Sequence, residues 1–281
     1  MWKQKWLTIG ILALVALGCA KPVEKKYRQA RRLREAGKLL EAIPLYKEAV
    51  QLEPDFAPAQ RELGQTYFTL KRYEEALPHL GKAAQLEPGK SAVHLDLGQA
   101  LWKAERLGQA LQSFERAAEL EPSDPLPLVY QGQVLLDQSR YAEAQEPLRE
   151  ALERDPNSAE AHGALGSAYA LLHRYTEALA HFEKAIALGA SSVTTWIRYG
   201  LTLYQLDQMD KACWAMEKAH ELDPRNTDAL LYLGQFYWQQ ERWVKVVEAW
   251  EALLALTPED TTTQALLRDA RQRLEGRIGN P

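Results

Sequence analysis

Cysteine is scarce in this 281-residue chain, glycine-rich clusters are missing, and no charge of one sign runs along its whole length. The two cysteines, Cys19 and Cys213, stand in quite different surroundings, which excludes a disulfide framework and a cysteine zinc cluster. The glycines are single, so no loop is present that could cradle a phosphate with its backbone N–H groups. His79, His94, His162, His173, His181 and His220 form no HExxH, zinc or nucleophile–base signature. The net charge of −4 hides an asymmetry, because Lys21 to Lys38 carry +6 and residues 39 to 281 carry −12. A nucleic-acid binder would spread Lys and Arg along its binding face, and an acidic body behind one basic stretch does not. These absences leave no catalytic, metal or cofactor site to expect.

What the sequence does contain is a period of 34 residues, repeated seven times without insertion from Val23 to Asp260. With each copy numbered from Val23, Ala57, Ser91, Pro125, Ala159, Val193 and Thr227, position 8 is Ala30 and then Gly64, Gly98, Gly132, Gly166, Gly200 and Gly234. A mid-helix glycine costs about 1 kcal/mol relative to alanine, so a row of them implies that another backbone must approach closely there. Small residues also hold position 20 (Ala42, Ala76, Ala110, Ala144, Ala178, Ala212, Val246) and position 27, as tight antiparallel helix packing requires. Large apolar residues at positions 7, 11, 17, 24 and 30 are the expected core, Leu97, Leu101, Leu107, Phe114 and Leu120 among them. Cys213 takes a place filled elsewhere by Ile43, Leu77 or Leu111 and reads as a small buried hydrophobe. Position 32 is Pro in every copy except at Ala190, which stops the second helix. Position 34 supplies Asp124, Ser158, Ser192, Asn226 and Asp260, each a good N-cap for the helix that follows.

These glycine, alanine and proline positions resemble the tetratricopeptide repeat family over Val23 to Asp260, although position 4, often Trp in the family, is Trp only at Trp196. The resemblance implies an all-α fold, a right-handed superhelical solenoid of antiparallel helix pairs. Seven repeats over 23–260 are followed by a capping helix and tail over 261–281, with Leu266, Leu267, Ala270 and Leu274 on one face and Gly276 as its stop.

Before the repeats, residues 1–18 read as a signal peptide, with Lys3 and Lys5 ahead of an apolar run from Trp6 to Leu17. The run is too short to span a bilayer comfortably. Gly18-Cys19 resembles the end of a bacterial lipobox, which implies a lipidated N-terminus at Cys19 and a linker over 19–22. Acyl chains would hold the protein on a membrane, with the basic first helix at the headgroups. Ala20 departs from the aspartate that signals inner-membrane retention, which favours the periplasmic face of the outer membrane.

In the resembled family, positions 5, 9 and 12 of the first helices line the concave groove where partner peptides bind. Here they include Arg61, Gln65, Phe68, Leu95, Gln99, Trp102, Val129, Gln133, Leu136, Ile197, Tyr204, Leu231, Gln235 and Trp238. Glutamine amides offer a donor and an acceptor to an extended backbone, and the aromatic residues beside them suit hot-spot anchors. The expectation is a membrane-anchored interaction scaffold of the cell envelope, similar to lipid-anchored repeat proteins that assist pilus or secretion assembly or recruit cell-wall enzymes. The rival reading is a structural component that self-associates through its convex face, where Trp214 is expected to be exposed.

Overall fold

The computed structural model describes residues 21–278, so Cys19 and the apolar run before it lie outside the described residues. The chain divides into two compact units, Met1–Pro127 and Leu128–Pro281. In the first are α1 (Pro22–Glu35), α2 (Leu39–Leu52), α3 (Ala57–Thr69), α4 (Tyr73–Leu86), α5 (Ser91–Lys103) and α6 (Leu107–Leu120). The second is built from α7 (Leu126–Asp137), which begins at the boundary, α8 (Tyr141–Arg154), α9 (Ala159–Leu171), α10 (Tyr175–Ala187), α11 (Val193–Gln205), α12 (Met209–Leu222), α13 (Thr227–Gln239), α14 (Trp243–Leu256) and α15 (Thr261–Ile278). Each repeat therefore gives one helix over positions 1 to 13 and another over 17 to 30, with an end shifted by one residue in α1, α7 and α10. Seven helix pairs and a final single helix result.

The punctuation follows the sequence, with two exceptions, at Ala190 and at Gly276. Ser158, Ser192 and Asn226 accept hydrogen bonds from the N–H groups of Ala161, Thr195 and Ala229, and Asp260 accepts from those of Thr262 and Thr263, which satisfies donors that the first turn of a helix leaves free. Second helices end at position 30 ahead of the proline, but α10, followed by Ala190 instead, ends one residue earlier. There Gly189 takes φ +85° and the Ala190 N–H reaches back to the Ala185 carbonyl at 2.9 Å, a glycine-based stop in place of a proline-based one. Gly276 does not end α15, which runs on to Ile278. The buried Leu267 and Ala270 fix the apolar face of this helix.

The glycine row answers the expected close backbone only in part, at Gly64 and Gly200, where the Ala76 and Ala212 carbonyls come to 3.2 and 3.3 Å of a Cβ, and its common cause is another. A Cβ at Gly64, Gly98, Gly132, Gly166, Gly200 or Gly234 would meet the side chain at position 24 of the same repeat, namely Leu80, Phe114, Leu148, Phe182, Met216 or Trp250. What approaches is a large side chain from the second helix, seated in the notch that the missing Cβ leaves. These knobs are 0 to 2% exposed, and each contributes on the order of 1.5–3 kcal/mol by its burial. The alanines at positions 20 and 27 are fully buried around them.

Among the other expected core positions, 11 is buried in every copy but the first, whereas 17 and 30 are mostly half-buried. Leu52 and Leu222, at position 30, are 56% and 46% exposed, because that residue ends the second helix where little of the next repeat reaches it. Small residues at positions 3 and 10 take up the contact between repeats instead: Ala59, Val93, Ala161 and Ala229, with Thr66, Ala100, Val134 and Ala168, are all 0% exposed. In α1 these two positions are Lys25 and Arg32, both exposed, as suits a helix with no described pair ahead of it.

Candidate partner-binding face

In the first unit, position 6 of each first helix sits beside positions 5, 9 and 12 of the preceding one, and a carboxylate there gathers donors. Glu62 accepts from the Tyr27 hydroxyl at 2.7 Å and from the Tyr46 hydroxyl, and lies 3.4 Å from Arg34 Nη1. Burial first, and then the Glu62 carboxylate, push the Tyr27 phenol up to about 12. Asp96 Oδ2 accepts from Arg61 Nε at 2.5 Å and from Gln65 Nε2 at 2.7 Å, while Gln65 Oε1 accepts from Arg34 Nη1 at 3.2 Å. Arg61 and Gln65 are thus joined to one acid, and both ends of the Gln65 amide are engaged within the fold. Phe68 packs against Tyr73 with ring centres 5.5 Å apart, and Lys103 Nζ lies 4.5 Å from the centre of the Trp102 ring.

In the second unit, Val129 is 2% exposed, so its side chain belongs to the packing and presents nothing to a partner. Gln133 Nε2 donates to Glu160 at 2.8 Å. Tyr204 stacks on Phe236 at 4.9 Å and its hydroxyl accepts from Gln239 Nε2 at 2.8 Å. Trp238 lies edge-on to Trp243 at 5.0 Å and under the Arg273 guanidinium at 4.9 Å, which ties it to the final helix as much as to solvent. Leu95, Gln99, Leu136, Ile197 and Leu231 are half-buried like most of the row, and Gln235 is exposed. Only the amides of Gln99 and Gln235, of the four expected glutamines, have no partner among the described residues.

Arg198, at position 6 of α11, was not singled out by its sequence position. It is half-buried and makes no ion pair among the described residues, and burial holds its guanidinium below its usual value against the opposing influence of Tyr141, Asp137 and Tyr232. Comparison of position 6 across the later copies, Glu62, Asp96, Tyr130, Ala164, Arg198 and Tyr232, could have flagged it, because acids hold that place in the second and third copies.

Away from this face, Trp214 is 42% exposed and packs edge-on to Trp196 at 5.2 Å. Cys213 is buried with its thiol pushed up to about 11 by that burial. Among the described residues no helix is long and apolar enough to cross a membrane, and no three His, Cys, Asp or Glu side chains converge to hold a metal ion.

Comparison with known proteins follows the helix pairs closely. Three family models, each described as tetratricopeptide repeat, match residues 27–91 and 130–193, 68–127, and 193–226. No curated protein matches the sequence. Among solved structures, the Cut9–Hcn1 hetero-tetramer of the APC/C superposes with TM-score 0.72 at 18% identity over 86% of this chain, which spans 48% of that one. A tetratricopeptide repeat protein from Parabacteroides merdae gives 0.70 at 14% identity over 90% of this chain and 100% of its own. PilF of Pseudomonas aeruginosa gives 0.65 at 20% identity, over 76% and 97%. At these identities the likeness is one of fold.

Proposed function

Because the chain belongs to the tetratricopeptide repeat family, it is a protein-interaction scaffold and not an enzyme, and we propose that it serves as a lipid-anchored adaptor of the bacterial cell envelope. In this reading the partner is a peptide or helix held on the first-helix face. The observation that carries it is the composition of that face: twelve of its fourteen expected residues are half-buried, which leaves large apolar and aromatic surface in reach, and Gln99 and Gln235 keep amides free for a partner backbone. Phe68, Trp102, Leu136 and Tyr204 are the anchors, since truncating a buried interfacial aromatic typically costs about 2 kcal/mol or more of binding.

Anchoring rests on Gly18-Cys19 behind the apolar run from Trp6 to Leu17, with the periplasmic face of the outer membrane as its place. Lys21, Lys25 and Arg32, all exposed in or just before α1 and without an ion pair among the described residues, then face anionic headgroups, each gaining about 1 kcal/mol near such a surface. The reading is tested by a photo-crosslinking amino acid placed at Gln99 or Gln235, with Glu146 and Trp214 as controls on other faces. A single partner band from the first pair is expected in intact envelopes. Bands from Glu146 or Trp214 alone would move the function to the opposite surface. Cys19→Ser should release the protein from membranes or leave it unprocessed, and unchanged processing with no acyl label on the wild type would end the anchoring proposal.

A further inference from the structure

Outside the first-helix face, one buried polar atom stands alone. Among the described residues, Nδ1 of His220 is the one enclosed side-chain nitrogen or oxygen without a hydrogen-bond partner, and such atoms are rare enough in folded proteins to require a reason. His220 occupies repeat position 28, which is Val50, Ala84, Ala118, Leu152, Ile186 and Leu254 in the other copies. An aliphatic side chain fits that position six times over, so the imidazole is not there for packing.

The imidazole lines a cavity of about 320 Å³ bounded by α12, α13 and α14, within the size range of small ligand pockets. Its floor is apolar, formed by Leu230 and Leu233 at 2% and 4% exposed. Its rim carries three carboxylates, Glu217, Glu221 and Glu248, against the single ammonium of Lys245. Glu217 is already engaged by the Tyr237 hydroxyl and by Lys245 Nζ at 3.3 Å. Glu221 holds only the half-buried Lys218, at 2.5 Å, and Glu248 is exposed with no partner among the described residues.

We propose that this cavity binds a basic side chain, an arginine, presented by a protein partner. A guanidinium carries five donors and no acceptor, so it can meet Glu248 and Glu221 at once, and, when the imidazole turns toward the cavity, the Nδ1 of His220 in its Nε2–H tautomer as well. Its methylene stem lies on Leu230 and Leu233, as the stems of long cationic side chains do on apolar surface. An acidic ligand would face the carboxylates, and a purely apolar one would leave Nδ1 unmet. A cavity of about 670 Å³ in the first unit, which shares part of this register, has Gln112 where Glu248 stands and carries Arg106 and Arg116 on its wall, so it would receive the same group less well. The polar groups of the site, His220, Glu221 and Glu248, lie on the second helices α12 and α14, so its failure would leave the first-helix reading untouched.

The capped peptide Ac-Ala-Arg-Ala-NH2 is titrated into the isotopically labelled whole chain and followed by NMR, alongside the same peptide carrying citrulline or glutamate. Saturable shifts of the His220 ring nitrogens and of amides at 217–221 and 245–249 are expected. The neutral citrulline peptide should bind at least fivefold more weakly and the glutamate peptide not at all. Glu248→Gln, an exposed change that leaves the fold alone, and His220→Leu should each weaken the arginine peptide at least threefold. Equal binding of arginine and citrulline peptides, or shifts spread over the acidic surface without saturation at this cavity, overturns the proposal. So does undiminished binding by Glu248→Gln, or by a folded His220→Leu that unfolds at higher denaturant, since Nδ1 is then served by solvent alone.

Discussion

Replacing Gly234 with alanine should damage the second unit far more than the same change at Gly200, although both glycines hold the same place in the same repeat frame. A Cβ on Gly234 would lie 1.8 Å from Trp250 Nε1, 2.3 Å from Cδ1 and 2.4 Å from Cε2, whereas ordinary contact begins at 3.4 Å. The indole would have to retreat by about 1.6 Å, and it has nowhere to go, being 2% exposed and packed on Trp238 at 5.5 Å. Overpacking of this kind costs roughly 1–3 kcal/mol, and a retreat also breaks the Nε1 hydrogen bond to the Leu231 carbonyl at 3.5 Å. Against that, alanine returns about 1 kcal/mol of helix propensity. A Cβ on Gly200 meets Met216 Cε at 2.9 Å and the Ala212 carbonyl at 3.3 Å, and a terminal methyl on a flexible thioether moves aside easily. There the propensity gain and the crowding nearly cancel, so the two variants should differ by about 2 kcal/mol. Urea unfolding of both, followed by far-UV circular dichroism, measures the difference. The double variant Gly234→Ala with Trp250→Leu, a residue that fills this position in two other repeats, should recover part of the loss as a positive coupling. Equal stability of the two single variants, or no coupling in the double, would refute the knob-and-notch account.

The left-handed position 15 offers the opposite test. Lys71, Glu105 and His173 have φ near +60°, so Lys71→Gly or Glu105→Gly should raise stability by about 0.5–1 kcal/mol, the steric relief less the extra chain entropy of glycine, as read by denaturant midpoint. His162 and His181 face each other with Nδ1 atoms 3.0 Å apart, and burial holds both below the usual histidine range, with mutual repulsion adding at His181. A histidine whose folded-state value is depressed favours folding above its unfolded value and loses that contribution as pH falls, so the thermal midpoint should drop from pH 7 toward 5 and drop less in His181→Gln. In Cys19→Ser protein, Cys213 should react with a thiol reagent only after unfolding, since it is 3% exposed and its thiolate is disfavoured at neutral pH; prompt reaction of the folded chain would contradict its buried place.

The helix pairs were legible because each position carries one physical demand that recurs: a notch, a small contact residue, a cap, a stop. Period alone placed positions 20, 24 and 27 in the core and the N-caps at position 34. It failed where the demand is met by backbone geometry open to any residue. Lys71, Glu105, Ser139, Asp207 and Glu241 share the left-handed turn that only Gly37 betrays, since six copies tolerate the strain in return for a tight reversal between the two helices. Apolar identity also misled at position 30, where every leucine is half-buried or exposed, and small residues at positions 3 and 10 went unnoticed because alanine and threonine carry a weak hydrophobic signal.

The face was less legible than the fold, and the reason is that a side chain's availability depends on its neighbours across repeats. Gln65 and Gln99 are the same residue at the same position, 34 residues apart. The first is consumed because Arg34 precedes it by one repeat and Asp96 stands at position 6 of the next. Gln99 is preceded at position 12 by Phe68, where Gln65 has Arg34, and keeps its amide. Reading pairs of positions, 12 with 9 and 9 with 6 of the following copy, would therefore have separated the structural glutamine from the available one without coordinates. The same pairing predicts that Phe68→Arg, which gives Gln99 the preceding neighbour that Gln65 has in Arg34, should withdraw it from a partner. Crosslinking from a probe at Gln235 would persist in that variant if the two glutamines act independently, while Gln99→Ala, harmful in the wild type, would become neutral. A Gln99→Ala effect of equal size in both backgrounds would show that its amide never served the partner.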